Sequence, residues 1–376
     1  MRTRVCDLFG IEFPIFAFSH CRDVVAAVSR AGGLGVLGAL AYSNEQLEVE
    51  LDWVDQHVGG KPYGVDVVMP ASLADGSGMA GFDKAAFEAM IPERHKEYVE
   101  EVLTNYRVPH LAADAARHET LLAWTHGGAR SQVEIALAHP IKLLVNALGT
   151  PPKDVVDKVH EHGVLVAALC GSVEHAKRHA EAGIDIIVAQ GSEAGGHTGE
   201  VGTMVLIPDV VDAVAPRPVL AAGGIGSGRQ IAAALALGAD GAWMGSVWLT
   251  TAESDLHPVA VQKLLAASSR DTVRSRSMTG KPARQLRTKW TDAWDDPAVS
   301  PGTLPMPLQF MLTAEAIQRI HHHAHVESSG AKELIGSPVG QIVGRMTSVR
   351  PVREVVYDMM NEFVDAMTRV CKLLDE

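Results

Sequence analysis

The chain has 376 residues, of which 47% are hydrophobic and 21% charged, enough apolar material for a large buried core in one elaborated domain or two. Its formal net charge of −12 and its pI near 5.8 disfavour a nucleic-acid binder, because such domains usually present a basic face. We therefore expect a protein that acts on small molecules and does not bind nucleic acid.

The cysteines and the apolar runs indicate the compartment. Cys6, Cys21, Cys170 and Cys371 form no CxxC pair and no Cys/His finger spacing, so neither a disulfide framework nor structural zinc is predicted. Charges and a proline interrupt the amino-terminal segment MRTRVCDLFGIEFPIF, and nowhere do about 18 uncharged apolar residues run together. We expect no signal peptide, no membrane span and a cytoplasmic location.

From residue 11, short apolar runs alternate with longer helical patterns, which is typical of repeated βα units and a parallel sheet. Eight strands are predicted, at residues 14–18, 34–38, 63–68, 142–148, 164–169, 185–189, 219–222 and 241–245. Eight strands, with a helix after most of them, favour a closed (β/α)₈ TIM barrel over an open doubly wound sheet, which more often has about five to seven strands.

Three segments do not fit this repeat. Residues 70–110 form an insertion after the third strand, broken early by DGSG and helical around 87–106, and are a candidate cover for the barrel mouth. Residues 253–307 are too long for an ordinary connection. Residues 352–374 place apolar side chains on one helix face, at Val356, Met359, Phe363, Met367, Val370 and Leu374. We predict a barrel over 1–252, with a second lobe and C-terminal helices over 253–376 packing on it.

A first glycine-rich loop lies in the segment IIVAQGSEAGGHTG, residues 186–199, directly after a predicted buried strand. The loop carries an amide, a carboxylate and an imidazole, at Gln190, Glu193 and His197. Loops at the carboxyl ends of parallel strands hold the active sites of barrels, and glycine lets the backbone approach a ligand closely. We therefore predict an active site at this loop.

A second glycine cluster lies in VLAAGGIGSGRQIAAALALG, residues 219–238. Its glycines do not follow GxGxxG, and no acidic residue ends the next strand about twenty positions on, so a Rossmann dinucleotide site is rejected. Backbone N–H groups at a helix N-terminus stabilise an anion, and barrels commonly bind phosphate in the loops after strands seven and eight. The pair Gly245 and Ser246 follows in the next strand, and a phosphate site is predicted there.

The strings VAQGSEAGGHTG, PVLAAGGIGSGRQIAAALALGADGAWMGS, AAVSRAGGLGVLG and TGKPAR resemble the nitronate monooxygenases, a family of FMN-dependent (β/α)₈ barrels. The resemblance covers about residues 11–290, and the pattern AQGxEAGGHxG is specific to this group and its near relatives. It implies an FMN across the barrel top, with Gln190 bonding the ring edge. The implied phosphate contacts are Gly223, Gly224, Gly245 and Ser246, and the implied ring contacts are Ala17, Phe18, Ser19, Asp66, Gly195 and Gly196.

His197 matches the histidine proposed as the catalytic base of that family. An imidazole with an ordinary pKa near 6.5 can accept a proton at neutral pH without prior activation. Its glycine neighbours at a strand end favour a functional role over a purely structural one. Glu193 is predicted either to orient His197 or to anchor the loop.

Three positions depart from the family pattern. Ser19 and His20 follow the first strand where APMA is common, Asp66 replaces a typical asparagine at the third strand, and the fourth ends at Asn146 in NALG. A carboxylate beside a flavin disfavours the anionic reduced ring, so Asp66 either turns away or changes the electronics of the flavin. We predict that His20 and Asn146 contact the substrate.

Two charged clusters have alternative interpretations. The run HHHAH at residues 321–325 offers a single i,i+4 histidine pair without a carboxylate at a zincin spacing, so we interpret it as a solvated helix face and predict no metal. A basic stretch either contacts a phosphorylated substrate, such as a coenzyme A thioester, or pairs with the surplus carboxylates; its members are Arg274, Arg276, Lys281, Arg284, Arg287 and Lys289.

The resemblance implies an enzyme that oxidises alkyl nitronates or nitroalkanes with O₂ to a carbonyl compound and nitrite. His197 would take the α-proton of a neutral nitroalkane, or otherwise hydrogen-bond the nitro oxygens. An alternative keeps FMN and replaces the electron donor by NAD(P)H, as in the flavin-dependent enoyl-thioester and quinone reductases that share the GGH loop. A third alternative is a flavin- or acyl-thioester-binding protein without turnover. Assembly into a homo-oligomer is also compatible with the sequence.

Overall fold

The computed structural model describes residues 2–69, 84–112 and 126–373. Eight parallel strands close into a barrel, with helices between successive strands. The predicted TIM barrel is therefore confirmed. Each of the eight predicted strands is present, and its ends lie within two residues of the prediction.

The barrel strands follow the order of the sequence around the barrel, and the last pairs with the first. They are β1 (Ile15–Ser19), β2 (Leu34–Gly38), β3 (Tyr63–Val67), β4 (Leu143–Asn146), β5 (Leu165–Cys170), β6 (Ile186–Gln190), β8 (Val219–Ala222) and β9 (Gly241–Met244). A separate antiparallel sheet has the order β10-β11-β7, from β7 (Gly196–His197), β10 (Thr272–Ser275) and β11 (Ala283–Leu286).

The helices in the described residues are α1 (Arg4–Phe9), α2 (Arg22–Arg30), α3 (Asn44–His57), α4 (Lys84–Ala89), α5 (Glu93–Asn105), α6 (His126–Ala138), α7 (Lys153–Glu161), α8 (Val173–Glu181), α9 (Thr203–Val214), α10 (Gly228–Ala236), α11 (Pro258–Ala266), α12 (Lys289–Asp295), α13 (Leu308–His323), α14 (Ala331–Leu334) and α15 (Val352–Lys372). Short 3₁₀ helices lie at Ala39–Ala41, Ser246–Thr250, Ser269–Asp271 and Gln341–Arg345. None of these helices is both long enough and apolar enough to cross a membrane.

Two apolar layers hold the barrel together, because successive residues of a strand point to opposite sides of the sheet. Phe16, Val145 and Val188 belong to the layer that fills the interior, whereas Ala17 and Val65 belong to the layer between strands and helices. This alternation decides which residues at the strand ends can face a ligand in the barrel mouth.

Helix α1, which the sequence analysis did not predict, packs its buried residues Val5, Cys6 and Phe9 against the interior layer. The Phe9 ring meets the Phe16 ring edge-on, with centroids 5.5 Å apart. The interior is therefore a packed core, and only the opposite end, at the carboxyl ends of the strands, is left for a site.

The C-terminal helix is confirmed as α15, which packs against α10. Val352, Val356 and Met359 are buried, whereas Met367 and Val370 of the predicted apolar face are exposed. Leu374, the last residue of that predicted face, lies outside the described residues. Only the first part of the face is thus covered by the rest of the chain.

The insertion after β3 is described in part. Residues 70–83, including DGSG, lie outside the described residues, and the predicted helix at 87–106 is two helices, α4 and α5. Helix α5 packs in one apolar cluster with α12 and α13 of the region after residue 252. From that same region, β11 pairs with β7. The boundary at residue 252 stays a prediction.

Candidate active site

Phe18, at the carboxyl end of β1, lies at the centre of the candidate site. Its ring stacks on Trp243 of β9, with centroids 6.2 Å apart, and meets the His20 ring edge-on at 5.1 Å. A Cβ atom at Gly245 would lie 3.8 Å from Phe18. The ends of β1 and β9 therefore bring these predicted residues together, whereas the side chain of Ala17 packs in the layer outside the barrel.

The polar groups after β1 are held by the backbone. The Ser19 hydroxyl accepts a hydrogen bond from the Cys21 N–H at 3.0 Å, and His20 Nδ1 lies 2.9 Å from the Gly38 carbonyl oxygen. Burial lowers the pKa of His20 because a charged ring loses hydration there. His20 thus brings a neutral imidazole to the strand ends.

Asp66 is a buried acid at the end of β3, where it pairs with Gly38 of β2 and Val145 of β4. Only 3% of the residue is exposed, and its Oδ1 atom has no hydrogen-bond partner among the described residues. Burial raises the pKa of Asp66 well above its ordinary value, because no cation compensates the loss of hydration. The raised pKa favours the uncharged acid, which would avoid the charge conflict that a carboxylate beside a reduced flavin would create.

Asn146 is occupied by the loops around it. Its Oδ1 accepts from the Met69 N–H at 2.8 Å, and its Nδ2 donates to the carbonyl oxygens of Met69 and Gly149 at 3.1 and 2.9 Å. These bonds tie the end of β3 to the loop after β4. These bonds give Asn146 a scaffolding role, and its contact with substrate stays a prediction.

Glu193 anchors the first glycine-rich loop. Its carboxylate accepts from the Thr203 N–H at 2.9 Å and from the Thr203 hydroxyl at 2.8 Å, at the start of α9. A carboxylate is favoured there by the unpaired N–H groups of a helix N-terminus. Of the two predicted roles for Glu193, this geometry supports loop anchoring.

Residues 339–341, which the sequence analysis missed, close over that loop. The Gly340 N–H donates to the Ser246 hydroxyl at 2.8 Å, and the Gln341 N–H donates to the Glu193 carbonyl oxygen at 2.9 Å. A Cβ atom at Gly195 would lie 2.8 Å from the Gly340 nitrogen. The backbone of residues 339–340 therefore leaves no room for a side chain at Gly195. The sequence PVGQ contains no motif from which this contact could be predicted.

His197 is held by a segment far along the chain. It pairs with Ala283 of β11, and its Nε2 lies 2.7 Å from the Thr279 hydroxyl. Burial and the nearby Lys281 lower the pKa of His197 to about 4. Gly196 beside it has φ +77°, and a Cβ atom there would meet nothing within 4 Å. A neutral imidazole thus follows, in the chain, a residue whose Cβ position faces free space.

Thr279 and Lys281 were missed as site residues, although the TGKPAR string that contains them contributed to the family resemblance. Their role depends on the pairing of β11 with β7. A sequence motif can mark such a segment but does not say which residue it contacts.

The second glycine cluster has the backbone geometry of an anion cradle. Gly223 and Gly224 have φ of +100° and +68°, a conformation that glycine adopts at little cost. The first N–H of α10, at Gly228, already donates to the Glu362 carboxylate of α15 at 3.0 Å. A phosphate would therefore use the loop backbone around Gly223, Gly224 and Gly245 rather than this helix N–H.

The basic stretch is mostly free of carboxylates. Arg287 pairs with Asp292 at 2.7 Å, but Arg274 and Arg284 form no ion pair within the described residues. Arg274 donates to the Thr198 carbonyl oxygen, and Arg284 donates to the Ser192 carbonyl oxygen. The two guanidinium groups face each other across β10 and β11, beside the first glycine-rich loop.

The histidine run is only partly solvated. His322 and His325 are exposed, whereas His321 is half-buried, and its ring meets that of His257 with centroids 6.5 Å apart. Burial lowers the pKa of His321. The prediction of a solvated face therefore fails at His321, which packs against α11.

The chain matches the family model described as nitronate monooxygenase over residues 2–362. The chain belongs to the nitronate monooxygenase family. It is 56% identical to "Putative monooxygenase Rv1533" of Mycobacterium tuberculosis, with 98% of each chain covered. It is 31% identical to the "Probable nitronate monooxygenase" of Staphylococcus saprophyticus, with 77% of this chain and 80% of the relative covered.

Two solved structures extend the comparison of this nitronate monooxygenase family member. A nitroalkane oxidase from Streptomyces ansochromogenes superposes with a TM-score of 0.78 at 25% identity, covering 97% of this chain and 99% of that one. FabK from Thermotoga maritima superposes with a TM-score of 0.72 at 29% identity, covering 99% of each chain. The chain is thus an oxidoreductase of a flavoenzyme family.

The residues present fit a flavin. Gly196 borders free space, Gly223 and Gly224 expose a backbone bend suited to an anion, and the Oδ1 atom of Asp66 lacks a partner among the described residues. An unpaired buried polar atom costs free energy unless a ligand satisfies it. Each of these features is explained by a planar, phosphate-bearing ligand at the carboxyl ends of the strands.

Proposed function

We propose that the protein is an FMN-dependent nitronate monooxygenase that uses O₂ to convert alkyl nitronates into a carbonyl compound and nitrite. The observation that carries this proposal is the neutral imidazole of His197, held by Thr279 beside the open space at Gly196. A neutral ring can donate a hydrogen bond to an oxyanion without adding a fixed charge. The nitro oxygens of a nitronate are acceptors of this kind.

FMN would be held by backbone and by one aromatic ring. The loop backbone at Gly223, Gly224 and Gly245 would bind its phosphate, and Phe18 and Gln190 would contact its ring system. Bound FMN supplies an acceptor for electrons from the substrate and passes them on to O₂. The FMN identity, as opposed to another flavin, rests on the phosphate cradle and on the family resemblance.

His197 is better suited to orienting a nitronate than to deprotonating a neutral nitroalkane. General-base catalysis is most effective when the pKa of the base lies near the working pH, and the pKa of His197 is about 4. The Thr279 hydroxyl can donate to Nε2 or accept from it, so it can keep the ring in place in either tautomer. We therefore expect nitronates to be much better substrates than neutral nitroalkanes.

Anaerobic titration of the purified protein tests the proposal. The absorption spectrum reports the flavin, and acid precipitation should release FMN. A nitronate should bleach the flavin absorbance, whereas NADH and NADPH should leave it unchanged. A colourless protein that cannot be reconstituted with FMN would overturn the cofactor assignment, and bleaching by NADH or NADPH alone would overturn the substrate assignment.

A second candidate, an NAD(P)H-dependent reductase acting on an enoyl thioester or a quinone, is supported by Arg274 and Arg284. These two guanidinium groups lie beside the loop of His197 without a carboxylate partner in the described chain. Facing like charges favour a phosphate-bearing ligand. The same titration separates the candidates, because this one requires rapid bleaching by NADH or NADPH.

We further propose a cytoplasmic enzyme. Cys6, Cys21, Cys170 and Cys371 are all unpaired, and Cys371 is exposed. Free thiols persist in a reducing compartment, whereas oxidising compartments favour disulfides. Assembly into a homo-oligomer stays a prediction.

A further inference from the structure

One face of α3 carries three carboxylates on the outside of the barrel, away from the candidate active site. Glu48, Asp52 and Asp55 are spaced four and three residues apart, so they share a helix face. In the part of the chain that the structure describes, no lysine or arginine forms an ion pair with any of them; their only basic partner is His139. Like charges at this spacing repel one another.

His139 follows α6 and faces this acidic cluster from the neighbouring helix. Its side chain is 6% exposed, and its Nδ1 lies 2.7 Å from Asp55 Oδ2. The other oxygen of Asp55 accepts from the Tyr63 hydroxyl at 2.6 Å. Asp55, which accepts at both oxygens, therefore fixes the tautomer with a proton on Nδ1 and leaves a lone pair on Nε2.

That lone pair has no protein partner. His139 Nε2 is buried without a hydrogen bond among the described residues, and Glu48 Oε1 lies 3.8 Å from it. One ligating atom from each of Asp52, Asp55 and His139 can be chosen so that all three lie within 4.8 Å of one another. A cation at Nε2 would satisfy this nitrogen and relieve the repulsion among the carboxylates of α3.

We propose that Glu48, Asp52 and the His139 Nε2 atom bind a divalent transition-metal ion such as zinc, with Asp55 orienting the histidine. An imidazole nitrogen with carboxylate oxygens is a donor set that zinc accepts readily, whereas magnesium and calcium prefer oxygen ligands alone. The chain Tyr63–Asp55–His139 has the arrangement in which a carboxylate orients a ligating histidine. The bound ion joins α3 to the end of α6 and stabilises that side of the barrel.

This site could not be found from sequence spacing. Asp55 and His139 are 84 positions apart, and the expectation of no metal considered only cysteine and histidine motifs that lie close together in the chain. The barrel brings α3 and α6 side by side. Only that packing places the imidazole against the carboxylates.

Calorimetric titration with ZnCl₂ after chelator treatment tests the proposal directly. We expect one tight equivalent of zinc per chain, a melting temperature that rises by a few degrees with zinc, and no competition by a large excess of Mg²⁺. Cobalt in place of zinc should give visible d–d absorption. Asp52→Asn and His139→Gln should each weaken zinc binding at least tenfold.

Two control variants separate this site from other metal-binding groups. Glu181→Gln removes an exposed helical carboxylate elsewhere, and His325→Gln alters the surface histidine run; both should keep the tight equivalent. The proposal is overturned if no tight equivalent exists, if Asp52→Asn leaves it intact, or if His325→Gln removes it. Asp52 is exposed, so that variant decides the matter even if His139→Gln does not fold. The readout is metal binding and does not depend on flavin or turnover.

Discussion

His197 shows how the fold changes the chemistry of a single residue. An ordinary imidazole titrates near 6.5, but burial and Lys281 lower the pKa of His197 to about 4. The ring is therefore neutral at every pH at which the enzyme is expected to work. Any role that needs a charged imidazole before substrate binds is disfavoured.

The first prediction concerns this titration. Nuclear magnetic resonance of the histidine rings should show His197 titrating near pH 4, and turnover of a nitronate should not change through a histidine ionisation between about pH 5.5 and 8. The spectrum of His197→Asn identifies the signal. A His197 signal that titrates near 6.5 would show that the ring is more solvated than its packing indicates.

The second prediction separates hydrogen bonding from proton abstraction. If His197 orients the substrate, His197→Asn should lower kcat/KM for a nitronate and for the matching neutral nitroalkane by a similar factor, roughly tenfold, the worth of one hydrogen bond to a charged group. Steady-state kinetics with both substrates measures this. A selective loss of about 10²- to 10⁴-fold on the nitroalkane would instead identify His197 as the base that takes the α-proton.

The third prediction concerns Asp66. A carboxyl group whose pKa is raised in the folded state contributes stability at low pH. This contribution is lost as the pH rises from the ordinary pKa of the group through its raised pKa in the folded state. Asp66→Asn should therefore raise the melting temperature at pH 7 to 8, and the difference from the wild type should shrink toward pH 4. Asp209→Asn, on an exposed site of α9, is the control. A variant less stable than the wild type at pH 8 would mean that Asp66 is ionised and paired.

At the scale of elements, the glycines of the second cluster serve different purposes. Gly228 lies against α15, where a Cβ atom would be 1.9 Å from the Met359 carbonyl oxygen, so helix packing alone requires it. Gly224 instead has φ +68°, and a Cβ atom there would meet the Glu193 side chain at 3.2 Å. Loop geometry, and not crowding by a helix, explains a glycine at Gly224.

The fourth prediction uses this difference. Gly224→Val should weaken FMN binding at least tenfold while the circular-dichroism spectrum stays that of the barrel, because the new side chain disturbs the anion cradle. Gly163→Val is the matched control: Gly163 has φ +69° with nothing near a Cβ atom and lies after α7. It should share the backbone strain but keep the flavin. Full FMN binding by Gly224→Val would remove this residue from the site.

The elements themselves could be predicted because their signals are local. Apolar runs ended by glycine or charge located all eight barrel strands, and the strand ends located Phe18, His197 and Gly245. The contacts of the site could not be predicted in the same way. Thr279 reaches His197 only through the pairing of β11 with β7, and Gly340 reaches Ser246 across 94 positions of chain. Such contacts depend on how distant segments pack, which no local pattern encodes.

The same limit applies to further contacts of the predicted site residues. Gly195, predicted to contact the flavin, also lies against Gly340. Asn146, predicted to contact substrate, also bonds Met69 and Gly149 through its amide. In each case the residue lies where the sequence predicts, at the end of a strand, and a segment distant in sequence determines what it contacts.

For the molecule as a whole, buried histidines dominate the expected acid response. Burial lowers the pKa of His179, His197 and His321, while their pKa in the unfolded chain stays near 6.5. As the pH falls below about 6.5, the unfolded chain binds these protons before the folded one does, so the free energy of unfolding decreases. Burial raises the pKa of Asp66, Glu50 and Asp295, and these carboxyl groups act in the opposite direction.

The fifth prediction follows from this imbalance. The melting temperature should fall by several degrees between pH 7 and pH 5, before most carboxylates titrate. His179 is buried between the Thr150 hydroxyl and the Leu169 carbonyl oxygen, so His179→Asn should lower stability at all pH values and reduce the slope between pH 7 and 5. Thermal denaturation across this range measures both quantities. Stability that stays constant or rises from pH 7 to 5 would show that these imidazoles are protonated in the folded state, and the neutral His197 on which the proposed function depends would then need re-examination.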